Sequence, residues 1–279
     1  MTRLGIQQIV RLLRKTEDSS TQEAAAHEIF DYSTVPLSSA TEIRLLSFPD
    51  LDNGDLLKCK LSTFDINKAP PFAALSYVWY NPRLKSSVSV PCGDGNQALS
   101  VLGNLYDALK HLVQQSTSAF RVSGLTYLWA DAMCIDQSNL AERAAQVLLM
   151  RQLYQKAQST YIWLGSDQST AKAFSLLSDM AAARLKYVEA GDHRTFAELS
   201  DEDTSRYGMP SLADGRCSDL RSLLGTGWFT RTWIIQELAV SFNPLLVCST
   251  EWFHWEVLDK VLQFAIDISD PLVSMAGLY

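Results

Sequence analysis

The residues best suited to chemistry lie within residues 227–238, which read Gly-Trp-Phe-Thr-Arg-Thr-Trp-Ile-Ile-Gln-Glu-Leu. Trp233 and Glu237 are four residues apart, a spacing that stacks two side chains on one face of a helix. An indole beside a carboxylate partly desolvates it, which tunes its protonation state, and also offers a flat platform for a planar or cationic ring. We interpret the pair as suited to cleavage at a heteroaromatic nucleoside. The alternative is an ordinary amphipathic helix, with the aromatic residues in the core and Glu237 solvated or capping.

The composition indicates a folded domain rather than a nucleic-acid-binding or membrane protein. Of the 279 residues, 47% are hydrophobic and 20% charged, and no stretch approaches the ~18 uninterrupted apolar residues of a membrane span. The 24 basic and 31 acidic residues give a formal charge of −7, which argues against a general nucleic-acid-binding surface because such surfaces neutralise phosphates. We therefore expect no nucleic-acid partner and no integral membrane association.

The cysteines bear on the compartment and on metal binding. There are five of them, widely spaced and without a CxxC motif: Cys59, Cys92, Cys134, Cys217 and Cys248. This pattern suggests neither a disulfide framework nor a zinc site, so we expect no metal and a reducing, cytoplasmic location. Pairing of Cys134 with a histidine as a nucleophile is less favoured than a small buried thiol.

The chain divides into three parts by composition. Residues 1–40 begin with a basic amphipathic pattern that predicts a helical extension, packed on the domain or a partner in preference to a membrane surface. Residues 41–255 form the main domain, and within it the polar residues 186–222 predict an insertion or lid with weak structure. Residues 256–279 form a C-terminal helix and tail.

The elements that must position the site alternate between strand and helix patterns. Two short runs, residues 41–47 and 55–61, predict a hairpin at a sheet edge. Strand patterns follow at residues 72–79, 127–135, 160–164 and 244–249, and helix patterns at 100–113, 140–157, 233–237 and 254–268. Such alternation predicts an α/β domain, with a parallel sheet between two layers of helices. Ligands of such sheets bind beyond the carboxyl ends of the strands, where residues 77–82, 134–139 and 165–168 place polar clusters.

Three separated motifs resemble the fungal heterokaryon incompatibility (HET) domain. They are Ala-Leu-Ser-Tyr-Val-Trp at residues 74–79, Leu-Trp-Ala-Asp-Ala-Met-Cys-Ile-Asp-Gln at 128–137 with Glu142 and Gln146 following, and Trp-Phe-Thr-Arg-Thr-Trp-Ile-Ile-Gln-Glu at 228–237. Ile-Trp-Leu-Gly at residues 162–165 is a fourth similar segment. The resemblance implies a fungal intracellular protein linked to non-self recognition and programmed cell death.

The order of these elements is also similar to that of the TIR domain, which has a flavodoxin-like three-layer core. Enzymatic TIR domains cleave NAD at the nicotinamide-ribosyl bond with a glutamate at the corresponding helical position. This resemblance implies that Glu237 is the catalytic carboxylate and Trp233 its aromatic neighbour. Ile234 departs from the usual TIR cysteine, and Tyr80 stands where the HET pattern has a glycine, which could narrow the pocket or change its substrate.

Further residues are candidates for binding a nucleotide, with NAD as a substrate and not a cofactor. Trp233, with Trp79 or Tyr77 across the cleft, could stack on a base, and Arg231 could meet the diphosphate. Tyr77 and Trp79 could equally be core or cleft wall, and an exposed arginine is often only solvated. Asp131 interrupts an apolar run, so we expect it to pair with an arginine or, preferably, to face the cleft.

Asp136 and Gln137 could contact substrate or cap the next helix. The TIR resemblance also implies a homo-oligomer, because many such sites are completed between protomers, and it leaves room for a regulatory protein partner. The alternative function is a non-catalytic signalling module that acts by self-association, with the same motifs in its core and interface.

Overall fold

The chain folds as alternating strands and helices, which the computed structural model describes for residues 28–49, 57–79, 86–94, 96–115, 117–194, 198–211, 213–248 and 251–267. The strands are β1 (Glu28–Ile29), β2 (Glu42–Ser47), β3 (Lys60–Asp65), β4 (Phe72–Ser76), β5 (Ser87–Cys92), β6 (Gln97–Leu102), β7 (Tyr127–Trp129), β8 (Ser159–Trp163), β9 (Pro244–Cys248) and β10 (Glu251–His254). The helices are α1 (Gly103–Gln114), α2 (Ala119–Ser123), α3 (Asp131–Cys134), α4 (Leu140–Lys156), α5 (Gln168–Glu189), α6 (Asp201–Tyr207), α7 (Arg216–Leu224), α8 (Ile234–Val240) and α9 (Trp255–Asp267). The predicted N-terminal amphipathic helix, Tyr80 and the tail beyond residue 267 lie outside the described residues.

The main sheet has seven strands in the order β10-β9-β8-β4-β7-β2-β3. Its centre is parallel: β4 pairs with β7 and β8, and β8 pairs with β9. Numbered along the chain, these four parallel strands lie in the order 2-1-3-4. Antiparallel strands flank them, β10 on one edge and the β2–β3 hairpin on the other. The predicted α/β class with a parallel core is confirmed.

Helices cover both faces of this sheet. Tyr161 and Trp163 of β8 point into one hydrophobic cluster, which includes Leu109 of α1 and Leu153 of α4. Ile162, between them, points into a second cluster with residues of α5, α7 and α9. A strand that is buried on both sides reads as a continuous apolar run, which is why β8 was recognisable from the sequence.

The edge hairpin forms with a later second strand than predicted. β2 and β3 pair from Glu42 opposite Asp65 to Ser47 opposite Lys60, so the second strand occupies residues 60–65 and not 55–61. The shift places Leu61 opposite Leu46, and both side chains are buried. Burial of this pair fixes the register, since a one-residue slip would turn the leucine to the other face.

A second sheet, with the order β1-β6-β5, was not expected from the sequence. β5 and β6 form an antiparallel hairpin, and Gly93 adopts φ 72° in its turn. The helix predicted for residues 100–113 begins at Gly103, because residues 100–102 belong to β6. The predicted strand 127–135 is likewise shorter: β7 ends at Trp129, and the short helix α3 follows.

Residues 186–222 are more structured than their polar composition predicted. They include the end of α5, all of α6 and most of α7, whose Leu220 and Leu223 are buried in the second cluster. The polar residues are used locally, since Ser200 and Asp203 form a capping box and Arg194 pairs with Asp203. The expectation of weak structure is therefore wrong for the described part of this segment, whereas its role as an insertion or lid stays a prediction.

Within the described residues, no helix combines the length and apolar character needed to cross a membrane.

Candidate functional site

A cavity of about 470 Å³ opens at the carboxyl ends of β4 and β7. Four segments line it: the residues after β4, the residues after β7, one face of α4, and the residues before α8. The lining side chains are Val78, Trp79, Asp131, Ile135, Gln137, Arg143, Val147, Met150, Arg231 and Trp233. The volume lies within the roughly 300–1,000 Å³ usual for small-molecule sites.

Glu237 lies next to this cavity, in a buried hydrogen-bonded network. Its residue exposure is 1%, and its carboxylate accepts hydrogen bonds from the Ser76 hydroxyl and from Arg231 Nη2, the latter at 3.1 Å. The Ser76 oxygen in turn accepts from Trp228 Nε1 at 2.7 Å and from Arg231 Nη1 at 3.3 Å. Ser76 ends the central strand β4, so the network fixes the carboxylate at the strand end where ligands of parallel sheets bind.

Burial raises the pKa of the Glu237 carboxyl above its usual range, because desolvation disfavours the charged form. The positive charge of Arg231 and the Ser76 hydrogen bond act in the opposite direction, while the negative charge of Asp131 adds to the rise. Glu237 is therefore a carboxyl group whose charge depends on its neighbours.

Trp233 and Glu237 occupy adjacent turns, as predicted, but their side chains separate. The Glu237 amide donates to the Trp233 carbonyl at 3.1 Å, and Trp233 occupies the N-cap position of α8. The indole is 47% exposed and lines the cavity, whereas the carboxylate is directed at Ser76 and is not among the cavity-lining groups. The predicted stack of indole on carboxylate is thus replaced by an aromatic cavity wall and a buried acid behind Arg231.

Asp131 is the carboxylate that lines the cavity, as its interruption of an apolar run predicted. It accepts hydrogen bonds from Tyr77 Oη at 3.0 Å, from Trp79 Nε1 at 2.8 Å and from the Ala132 amide at 2.8 Å. Desolvation raises the pKa of Asp131, and these hydrogen bonds and the charge of Arg231 oppose that rise. Two carboxyl groups with raised pKa values therefore flank one guanidinium.

The aromatic candidates divide into one cavity wall and one buried support. Trp79 is 41% exposed and lines the cavity together with Trp233. Tyr77 is buried, at 3% exposure, and its hydroxyl holds Asp131. Of the two alternatives from the sequence, Trp79 is thus the residue available for stacking, and Tyr77 belongs to the core.

Gln137 and Asp136 also separate. Gln137 lines the cavity, and its Nε2 donates to the Asp131 carbonyl at 2.9 Å. Asp136 accepts from the Ser138 amide at 3.0 Å and lines a different cavity. The N-cap of α4 is Asn139, whose side chain accepts from the Glu142 amide. The predicted capping role of Asp136 and Gln137 is therefore wrong, and Asp136 instead holds the turn before the helix.

Three residues of the site were missed as candidates: Ser76, Trp228 and Arg143. Ser76 and Trp228 lie inside the quoted motifs, but their hydrogen bond joins a strand end to a turn 152 residues away in the chain. Arg143 could have been found by spacing, because Arg143, Val147 and Met150 share one face of α4 and all three line the cavity.

The described residues contain no group of three or more His, Cys, Asp and Glu side chains that could hold a metal ion. Cys134 is a buried free thiol whose pKa is raised to about 12 by desolvation. Its complete burial and raised pKa favour the small packing residue over the nucleophile.

Comparison with known proteins supports the motif resemblance. The family model described as heterokaryon incompatibility protein (HET) matches residues 72–237, from the first residue of β4 to Glu237. The heterokaryon incompatibility protein 6, OR allele, of Neurospora crassa is 26% identical over 287 residues, which cover 90% of this chain and 42% of that relative. The chain thus spans less than half the length of that curated relative, and no solved structure matches it significantly. Because the family model covers more than half of the chain, the chain belongs to the heterokaryon incompatibility (HET) family.

Proposed function

We propose that this HET domain cleaves the nicotinamide-ribosyl bond of NAD or a related nucleotide, with Glu237 as the catalytic carboxylate. The observation that carries the proposal is the placement of Glu237, buried at the carboxyl end of the central strand and bound by Ser76 and Arg231 beside an aromatic-walled cavity. A carboxylate that is buried beside a cavity is costly to fold, which is a reason to assign it a function.

The strand order supports a TIR-like core. Parallel strands in the order 2-1-3-4 follow the flavodoxin-like arrangement, whose ligands bind at the carboxyl ends of the strands near the first strand. Here that first strand is β4, and Ser76 at its end contacts Glu237. The strand order and the position of Glu237 beside the first strand thus agree with the catalytic role that the TIR resemblance implies for this residue.

The proposed chemistry needs little more than a well-placed negative charge. Loss of nicotinamide leaves a ribosyl cation, so the transition state is similar to the oxocarbenium ion of glycoside hydrolysis. The leaving group already carries a positive charge, and no strong acid is required. Glu237 stabilises the cation and accepts hydrogen bonds from the ribose hydroxyls, an effect usually worth a few kcal/mol.

The cavity supplies the remaining contacts. Trp79 and Trp233 offer faces for a planar ring, and the exposed Arg143 offers a guanidinium for the diphosphate. Asp131, oriented by Tyr77, is a second carboxylate that can bind a ribose hydroxyl. Water then attacks the ribosyl cation, giving the hydrolysed sugar and free nicotinamide.

The test is release of nicotinamide from NAD by the purified chain at high concentration, followed by chromatography. Glu237→Ala and Glu237→Gln serve as variants, and Asp136→Asn, which alters a carboxylate outside the cavity, serves as the matched control. We expect release by wild type and control, and none by either Glu237 variant. Equal release by wild type and Glu237→Gln would refute the role of this carboxylate.

At the cellular level, we propose a cytoplasmic protein of non-self recognition whose activity or assembly triggers programmed cell death. The second candidate is a non-catalytic signalling module that acts by self-association and binds a regulatory protein. It is favoured by large apolar side chains on the surface near the cavity: Leu148, Ile235 and Phe242 are 85%, 70% and 85% exposed. A folded Glu237→Ala variant that keeps full toxicity would support this second candidate, and loss of toxicity with unchanged assembly would support the first.

A further inference from the structure

Arg231 belongs both to the buried network around Glu237 and to the wall of the cavity. Its guanidinium donates to Glu237 at 3.1 Å and to Ser76 at 3.3 Å, and the same residue lines the cavity. The Arg231 side chain is 21% exposed, compared with 2% for that of Glu237. A ligand in the cavity therefore meets the arginine before it meets the glutamate.

In the ion pair, Arg231 occupies the place beside the Glu237 carboxylate that the ribosyl group needs in the proposed reaction. A ribosyl group that gains positive charge must approach the Glu237 carboxylate, whose oxygens are already bound by Ser76 and Arg231. Two cations cannot share one carboxylate oxygen without repulsion. In this arrangement the guanidinium is the counter-ion of Glu237, and it must leave before substrate can replace it.

The rest of the cavity favours such an exchange. Arginine binds phosphate oxygens through paired, charge-assisted hydrogen bonds, which are stronger than its single contact to each partner here. Arg143 lines the same cavity, and its side chain is exposed and so accessible to a ligand. A diphosphate between these two guanidinium groups would pull Arg231 away from Glu237.

We propose that Arg231 is a ligand-released latch: it holds Glu237 in an ion pair in the free protein and transfers to the diphosphate of a bound nucleotide. Released, Glu237 is free to bind the ribose, and the positive charge of the nicotinamide-ribosyl group replaces that of Arg231 in keeping the carboxyl ionised. This inference rests on the proposed glycosidic cleavage. It adds a substrate rule, namely that the same glycosidic bond without a diphosphate is cleaved poorly.

The first experiment compares NAD with nicotinamide riboside, which has the scissile bond but no phosphate. We expect wild type to cleave NAD much faster than the riboside. Arg231→Gln, which keeps most of the side-chain length, and Arg231→Ala should cleave the riboside about tenfold faster than wild type, because the carboxylate has lost its cation. Both should also show a raised KM for NAD. The control Arg143→Ala should raise the KM for NAD without increasing riboside cleavage.

The second experiment does not depend on turnover. The pKa of Glu237 is followed by carbon NMR in protein labelled at the glutamate carboxyl carbon, with Glu237→Gln to assign the signal. Arg231, Asp131 and Tyr154 are the ionisable groups whose charges interact with it. Saturating inorganic pyrophosphate should move the pKa of Glu237 upward by about one to three pH units, the usual effect of losing an adjacent opposite charge. In Arg231→Gln, pyrophosphate should leave the pKa of Glu237 unchanged.

The two experiments separate the latch from the reaction. A pyrophosphate-dependent rise without nicotinamide release supports the latch and refutes NAD cleavage. The opposite result would be nicotinamide release by a protein in which pyrophosphate leaves the pKa of Glu237 unchanged and Arg231→Gln cleaves the riboside no faster than wild type. That result supports the reaction and overturns the latch.

Discussion

Glu237 and its partners illustrate how a buried acid is kept in a folded core. Removing a carboxylate from water costs several kcal/mol unless its oxygens are satisfied. Here a hydroxyl and a guanidinium satisfy them, and the hydroxyl is itself held by the buried indole of Trp228. Burial still prevails, since the pKa of Glu237 is raised.

This raised pKa predicts a pH dependence of stability. In the unfolded chain Glu237 ionises near its ordinary value of 4.5, whereas the folded protein retains the proton to higher pH. Its contribution to stability is therefore fully present below the unfolded pKa and is lost as pH rises through the folded pKa. Glu237→Gln stays neutral, so its free energy of unfolding relative to wild type should increase with pH above 4.5.

Urea unfolding of both proteins between pH 4 and pH 8 measures this difference. Asp136→Asn is again the control, because its carboxylate is partly exposed and lies outside the network. A constant difference between wild type and Glu237→Gln across this range would contradict the expected effect of burial.

The support of Asp131 predicts unequal costs for two similar substitutions. Tyr77→Phe and Trp79→Phe each remove one donor to the same carboxylate. Tyr77 is buried and Trp79 is 41% exposed, so water can replace the second donor but not the first. We expect Tyr77→Phe to lower the free energy of unfolding by about 1.5–3 kcal/mol and Trp79→Phe by less. Equal losses in urea unfolding would show that the tyrosine hydroxyl has no special role.

At this scale, the sequence predicted the residue types of the site better than their roles. The spacing of Trp233 and Glu237 located the right turn of chain, because helical periodicity depends on near neighbours. It did not reveal that the carboxylate faces Ser76, which is 161 residues away in the chain. Contacts of that separation depend on strand order, which a local pattern does not contain.

The elements are joined by a second buried ion pair. Arg44 on β2 is 1% exposed and binds Glu142 on α4, with Nη1 2.5 Å from Oε1 and Nη2 3.1 Å from Oε2. Arg44 also donates to the Val35 and Cys134 carbonyls. One side chain thus fastens the edge hairpin to the start of α4 and to the end of α3.

Replacing both partners of this ion pair should cost clearly less unfolding free energy than the two single replacements added together. Arg44→Met leaves the Glu142 carboxylate, whose side chain is 11% exposed, without its cation, and Glu142→Leu leaves the buried Arg44 guanidinium without its anion. We expect each single variant to lose about 3–5 kcal/mol of unfolding free energy, and the double variant to lose clearly less than the sum. A double-mutant cycle by guanidinium unfolding measures the coupling. Additive losses would mean that the two residues act independently.

The elements themselves were largely readable where burial gives a clean period. β4, β8 and β9 are mostly apolar and buried along nearly their whole length, and α1 follows its helical spacing of leucines. The β5–β6 hairpin was missed although its first strand, Ser-Val-Ser-Val-Pro-Cys, begins with a polar-apolar alternation, because this run is short and a proline interrupts it. Such an edge hairpin is set by pairing with β1 and by tertiary contacts, which override weak local propensity.

The whole molecule carries an apolar surface beside the cavity. Helices α4 and α8 pack against each other and present Leu148 and Ile235, with Phe242 just beyond α8. Large exposed apolar groups on adjoining elements are typical of association surfaces. We propose that two copies meet through this face.

Leu148→Asp and Ile235→Asp should therefore weaken self-association, measured by analytical ultracentrifugation over a range of concentrations. Leu185→Asp, which replaces an exposed leucine on α5, is the matched control. If the site is completed between copies, nicotinamide release should fall together with association. If Leu148→Asp and Ile235→Asp associate as strongly as Leu185→Asp, the copies do not meet through this face.

The order of the site residues along the chain has a consequence for synthesis. Ser76 is made early, but Glu237, the acid that it binds, is 161 residues further along the chain. A ribosome that has produced β4, β7 and β8 has thus made Ser76 and Asp131 but not Arg231, Trp233 or Glu237. Under the proposed function, nicotinamide release is therefore withheld from the nascent chain until residue 237 has been translated and α8 has docked on β4. We expect a chain cut short before that point to release no nicotinamide.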